Sequence, residues 1–220
     1  MKLSSTTLEI LKNFSTINPG LYFKTGKRLV TVSPNKNILA ESEIEESIPQ
    51  EFGVYDLNNL LQIISLDKSS VELEFEQHNI VIKSLGGRSK IKYRFAAKEM
   101  LVTPPDKKLS LPSVDCKVTL SEADFNWVMK TSAILQSPNI AFMNEGSGVH
   151  VISFDAKDDS KSTNSMKIAE DDGNTYKFVF KTENLKMIPG SYEVEISKSG
   201  VSKFTSKDRP VVYWVSLESK

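Results

Sequence analysis

Apolar and polar positions along the chain follow two rhythms, one helical and one alternating, and the same order of rhythms recurs four times. The first unit predicts a helix from Ser4 to Phe14, then strands at Leu21–Phe23, Arg28–Val32 and Ile38–Glu43, the first two joined through Lys24-Thr25-Gly26-Lys27. The second predicts a helix from Asp56 to Ser65, then strands at Val71–Phe75, Ile80–Lys83 and Lys90–Phe95, with Gly86-Gly87 at a turn. The third predicts a helix from Ser121 to Leu135, then strands at Asn139–Asn144 and Val149–Phe154 around Glu145-Gly146-Ser147-Gly148. The fourth predicts a short helix from Thr182, stopped by Pro189-Gly190, then strands at Tyr192–Ile196, Val201–Phe204 and Val211–Leu217.

Each predicted helix opens on a residue whose side-chain oxygen can accept from unpaired first-turn N–H groups: Ser4, Asp56, Ser121 or Thr182. These caps lie 52, 65 and 61 residues apart, too irregular for a solenoid. They predict an α+β chain of two similar domains, each holding two helix-plus-β-meander units. The N-terminal domain is read as 1–96, a linker as 97–112 and the C-terminal domain as 113–220, because Pro104-Pro105-Asp106-Lys107-Lys108 breaks all periodicity. The helices are two-faced. Leu3, Thr7, Ile10, Leu11 and Phe14 oppose Lys2, Ser5, Glu9, Lys12 and Asn13, while Leu57, Leu60, Leu61, Ile63 and Ile64 oppose Asn58, Asn59 and Gln62. Such helices cover one side of antiparallel sheets and leave a polar face free.

Charge changes the picture by being absent. Lys and Arg total 28, as do Asp and Glu, and neither half of the chain is a basic domain by bulk charge. A conventional DNA binder gains affinity by neutralising phosphates, so a function on DNA would need some other means of retention. No stretch approaches the ~20 apolar residues of a membrane span. The start reads as an amphipathic helix, not a signal peptide, and a single cysteine, Cys116, excludes an internal disulfide, so a cytoplasmic location is expected.

Catalytic chemistry finds no foothold. Gly20…Gly26-Lys27-Arg28 approaches a nucleotide-binding loop, but five residues separate the glycines where four are required, and Arg28 stands where a Mg²⁺-binding Ser/Thr belongs. His78 and His150 are far apart, and one cysteine gives no Cys/His metal spacing. Cys116 reads as a small strand residue. Glu41, Glu43, Glu45 and Glu46 form a solvated run. The sequence therefore predicts a protein without catalytic residues, cofactor or metal, and a non-enzymatic interaction scaffold that does not encircle DNA stands as the alternative reading.

Met1-Lys2-Leu3-Ser4, Leu11-Lys12-Asn13-Phe14, Thr16-Ile17-Asn18, Val54-Tyr55-Asp56-Leu57-Asn58, Ile64-Ser65-Leu66 and Met187-Ile188-Pro189-Gly190-Ser191-Tyr192 resemble the sliding clamps of T-even-type bacteriophages, DNA polymerase processivity factors. The resemblance runs nearly end to end and fades from Gln77 to Lys117 and from Ala156 to Asn174. It implies the processivity-clamp fold and a homotrimeric ring with helices inside and sheets outside; four helices per chain would make twelve. It also implies duplex DNA held by topology without regard to sequence, phage DNA polymerase as partner and an ATP-driven clamp loader. Late-transcription factors with RNA polymerase complete the implied partners, all in the host cytoplasm during infection, with no membrane involved.

Within that frame Lys2, Lys12, Lys130, Lys181 and Lys186 are the candidate DNA-facing residues, since each lies on or beside a predicted helix away from its most apolar face. Trp127 shares the side of Lys130 and reads either as an inter-helix packing residue or as an indole near the channel. Met100, Leu101, Val102 and Pro104 form an apolar cluster in the linker, and the resemblance implies a neighbouring groove for C-terminal peptides of partners, with Trp214 as a weaker candidate for its wall. For ring closure, Lys90, Lys92 and Arg94 face one way along a strand, and Asp158, Asp159 and Glu170 border the candidate strand Ser165–Ala169. Complementary pairing between subunits and charge used to discourage aggregation are both open there.

Overall fold

A computed structural model describes residues 1–67, 71–105, 107 and 109–218; Asp106 and Lys108 of the linker lie outside the described residues. The chain divides into two compact units, Met1–Lys107 and Lys108–Lys220.

In the first unit α1 (Ser5–Ile17) and α2 (Leu57–Ser65) start where the caps predict. Ser4 Oγ accepts from Thr7 N at 3.2 Å and Asp56 Oδ1 from Asn59 N at 2.9 Å. Both helices bury one face: Thr7, Ile10, Leu11, Phe14 and Ile17 from α1, and Leu57, Leu60 and Ile64 from α2. They pack on each other, and α1 also packs on β2 (Gly26–Val32) and β3 (Ile38–Ile48), which pair antiparallel. β1 (Leu21–Phe23) pairs with β4 (Phe52–Val54), and Phe23 stacks on Phe52 at 4.5 Å between ring centres. Phe52 also meets Phe95 at 4.8 Å and Phe75 at 5.5 Å, so one ring joins residues far apart along the chain. β5 (Glu72–Phe75), β6 (Asn79–Ser84) and β7 (Ser89–Arg94) form the predicted meander.

In the second unit β8 (Cys116–Leu120) precedes α3 (Glu122–Leu135), whose cap Ser121 Oγ accepts from Asp124 N at 3.1 Å. β9 (Asn139–Asn144), β10 (Val149–Phe154), β11 (Asn164–Ala169) and β12 (Tyr176–Lys181) pair in the order β11-β10-β9-β12. β13 (Tyr192–Ser197), β14 (Val201–Ser206) and β15 (Val211–Ser216) pair in the order β8-β13-β14-β15. Between the two groups Phe142, Phe180, Phe204, Tyr192 and Tyr213 interlock edge to face, with centres 5.8–6.4 Å apart.

The predicted fourth helix is absent. Thr182–Asn184 makes a single 3-10 turn, and Thr182 Oγ1 donates to Ser137 O at 2.8 Å where capping was expected. Pro189 pushes the residue before it toward extended backbone, leaving too few residues to repay helix nucleation. Leu185, Met187 and Ile188 are all buried, a spacing that an irregular segment can satisfy and one helix face cannot. β4 and β12 were not predicted as strands; β12 carries the alternating pattern in Tyr176, Phe178 and Phe180, which are buried between exposed lysines at 177 and 181.

Candidate functional site: two helix faces, a linker groove and two open strand edges

The structure brings Lys2 and Lys12 together. They border a cleft of about 370 Å³ floored by Leu3 and Leu8 of the first helix region and Leu61 and Ile64 of α2. Lys130 is exposed on α3. Lys181 and Lys186 are exposed but flank the 3-10 turn, which corrects their expected place beside a helix; Lys181 lies 3.8 Å from Glu218. The exposed helix faces carry no basic excess. Lys12 is offset by Glu9 on α1, α2 presents only Asn58, Asn59, Gln62 and Ser65, and Lys130 shares α3 with Glu122 and Asp124. Trp127, 59% exposed, and Ile134, 79% exposed, stand seven residues apart on α3, so the indole lies open and does not pack between helices within the chain.

The linker cluster has a division of labour that the sequence hid. Leu101 is wedged against two glycines: a Cβ on Gly20 would stand 2.8 Å from Leu101 Cδ2, and one on Gly53 would stand 2.8 Å from Leu101 Cδ1. Asn18, buried at the C-cap of α1, donates through Nδ2 to Val32 O at 2.9 Å and Val102 O at 3.1 Å and accepts from Gly20 N at 3.0 Å. The linker is therefore fixed to the end of α1, and Met100 (64% exposed) and Val102 (40% exposed) are left pointing outward. With Pro19, Pro34 and Tyr55 they border a shallow cleft of about 350 Å³. Tyr55, Pro19 and Pro34 were missed by sequence reasoning, because nothing local marks a residue before a helix cap or in a turn as part of a groove. Pro104 borders a separate cleft, beside Tyr22. Trp214 corrects the sequence reading: it is buried in β15 with Tyr213 and Val215, and the Lys203 ammonium lies 5.8 Å from its ring centre. Val212 and Ser216 on the same face of β15 are only half-buried, so the indole is closed off where alternation alone suggested an outward ring.

Lys90, Lys92 and Arg94 are exposed on β7, alternating with half-buried Ile91 and Tyr93. β7 and β11 are each the outermost strand of their groups. Lys92 reaches Glu76 at 3.8 Å, and Glu170 is paired with Lys167 at 2.6 Å. The Ser160 hydroxyl and N–H donate to Asp158 at 2.6 and 3.1 Å and hold its carboxyl below the usual range, whereas Asp159 is exposed. Asp171 and Asp172 accept from buried Asn144 at 2.7 and 2.9 Å, which turns them back into their own unit. Burial pushes the Cys116 thiol up to about 11, more than a hydrogen bond with Tyr176 lowers it, and that suits a packed strand residue and not a nucleophile.

Helices packed on antiparallel meanders in each of two units, a pair in the first and one with a 3-10 turn in the second, define the processivity-clamp class of architecture. Residues 2–102 match the family model for DNA polymerase processivity factor, and residues 117–219 match that for the C-terminal part of the gp45 sliding clamp. The sliding clamp of Vibrio phage KVP40 is 33% identical over 224 residues, covering 100% of both chains, and that of Enterobacteria phage T4 is 32% identical over 227 residues, covering 100% of this chain and 97% of its own. The chain belongs to the sliding-clamp family of phage DNA polymerase processivity factors. The fold reaches further: A. fulgidus PCNA, solved with the C-terminal region of FEN-1 bound, superposes with a TM-score of 0.69 at 15% identity, over 97% of this chain and 95% of that one.

Proposed function

We propose that three copies of this chain close head to tail into a ring around duplex DNA and tether the replicative polymerase, without catalysing a reaction. The observation that carries the reading is the charge of the helix faces. With lysines offset by carboxylates on α1 and α3 and only amides and hydroxyls on α2, contact strength cannot account for retention on a polyanion. A closed ring needs only a surface that tolerates phosphates while sliding, and Lys2, Lys12, Lys130, Lys181 and Lys186 supply local positive charge for it.

Met100 and Val102, held outward by the Leu101 wedge, suit the C-terminal peptide of a polymerase, since methionine repacks around different apolar ligands. A solved PCNA holding the C-terminal region of FEN-1 supports this use of the fold. Open edges at β7 and β11 support ring closure through unlike surfaces. An ATP-driven loader would open the ring, and RNA polymerase with late-transcription factors would use the same tether in the host cytoplasm.

Light scattering tests the assembly. A mass near three times 24.6 kDa is expected, falling toward one copy at micromolar concentration when Lys90, Lys92 and Arg94 become glutamate and partly restored when Asp158, Asp159 and Glu170 become lysine. A wild-type monomer would leave the scaffold reading in place of the ring; a triple reversal that keeps the trimer would move the interface elsewhere.

A further inference from the structure

Leu8 and Lys12 stand one turn apart on α1, and Leu61, Ile64 and Ser65 follow the same spacing on α2. Where the two helices pack, these stripes border the cleft of about 370 Å³ that Lys2, Leu3 and Leu73 complete. Leu3, Leu8 and Leu61 are only half-buried there, while Ile64 and Leu73 are buried. We propose that this cleft is a binding site for a small free amphipathic carboxylate, an alkyl chain of about eight carbons with one anionic head.

The lining matches both ends of such a ligand. Lys2 and Lys12 are exposed, and among the described residues neither forms an ion pair. Lysine stems lie along apolar surface while their ammoniums reach water, so both charges can meet a head group without leaving the wall. The one carboxylate among the described lining residues, Asp67, already accepts from Leu85 N at 2.8 Å. The interior is apolar and incompletely filled. A void of about 20 Å³ adjoins the cleft and shares Leu3, Leu61, Ile64 and Leu73 with it. Thr7 is the one polar side chain lining that void, and its hydroxyl donates to Glu46 at 2.6 Å. A water there would find too few partners, whereas an alkyl chain needs none. At roughly 30 Å³ per non-hydrogen atom the cleft takes about ten such atoms, the size of octanoate. Glu9 on α1 and the amides of α2 leave no broad apolar face to lie on a bilayer, so a free chain is favoured over a lipid surface. Binding does not depend on ring closure. Where the ring reading holds, a bound carboxylate would offset two of the five lysines proposed to face DNA.

Calorimetry on the full chain with octanoate and with 1-octanol, matched in chain and differing in charge, tests it. Octanoate should bind about tenfold more tightly at low salt, with most of that preference lost at about 0.5 M salt. Lys12→Gln should cut the preference and Lys2→Gln with Lys12→Gln should remove it, whereas Lys177→Gln in the second unit should leave it unchanged. Ser65→Phe places a ring at the exposed rim of the cleft and should exclude both probes. All four positions are exposed, so the variants should melt as the wild type does. No octanoate binding at millimolar concentration, equal affinity for the two probes, a preference that survives the double lysine change, or undiminished binding by Ser65→Phe would each overturn the assignment. Flotation with phosphatidylglycerol vesicles that Ser65→Phe abolishes would overturn it in favour of a lipid surface. None of these outcomes bears on the trimer mass.

Discussion

Leu101 sits so close to Gly53 that a Cβ there would stand 2.8 Å from Leu101 Cδ1 and 2.5 Å from Ala96 O. The same glycine pairs with Ala96 through an N–H···O bond of 2.8 Å, so strand β4 and the start of the linker share one seat. Gly53→Ala must therefore move backbone as well as a side chain, and should cost about 1–3 kcal/mol in chemical denaturation. Gly20→Ala meets only the flexible end of Leu101 below 3 Å and should cost less. Equal, negligible losses would mean the linker is not wedged.

The wedge also changes what can be learned from the groove. Charged substitutions at Leu101 would disturb the fold, whereas Met100 is 64% exposed and can be changed cleanly. Met100→Asp should weaken capture of a polymerase C-terminal peptide at least tenfold in calorimetry while the melting temperature stays within a few degrees. Unchanged affinity would move the peptide site, with the Ile38–Ile48 segment the next place to look.

Glu46 ties β3 to the start of α1. It accepts from Ser4 N–H, and its other oxygen accepts from the Thr7 hydroxyl at 2.6 Å. Burial raises its pKa, but these hydrogen bonds together outweigh that effect, so the folded carboxyl titrates below its usual value. Its contribution to stability is thus present above the unfolded pKa, about 4.3, and is lost as pH falls through the lower folded value. Glu46→Gln should reduce stability at pH 7 and flatten the acid limb of the stability curve; an identical acid limb would rule the linkage out.

How much of this was legible depended on whether the cause was local. Ser4, Asp56 and Ser121 cap their helices as their side chains dictate, and strands β9 and β10 fall on their predicted residues. Thr182 failed as a cap because its hydroxyl found Ser137 O, a tertiary partner no helical rule sees. Trp214 misled because its indole is buried although Val212 and Ser216 on the same face stay half-buried, which alternation alone does not show. The linker was visible as a break in periodicity, but Asn18, Gly20 and Gly53 hold it from far along the chain, and the clefts beside it exist only after folding.

Retention on DNA by topology is the central claim, and cutting the DNA tests it most directly. Protein loaded on circular duplex by its loader and ATP should persist there at moderate salt and leave promptly when a restriction enzyme linearises the circle, while the unassisted protein binds short linear duplex weakly. Removing Lys12, Lys130 and Lys186 together should impair loading or sliding more than any single change. Protein that stays bound after linearisation, or that alone holds linear duplex at nanomolar strength with a steep salt slope, would contradict the ring mechanism.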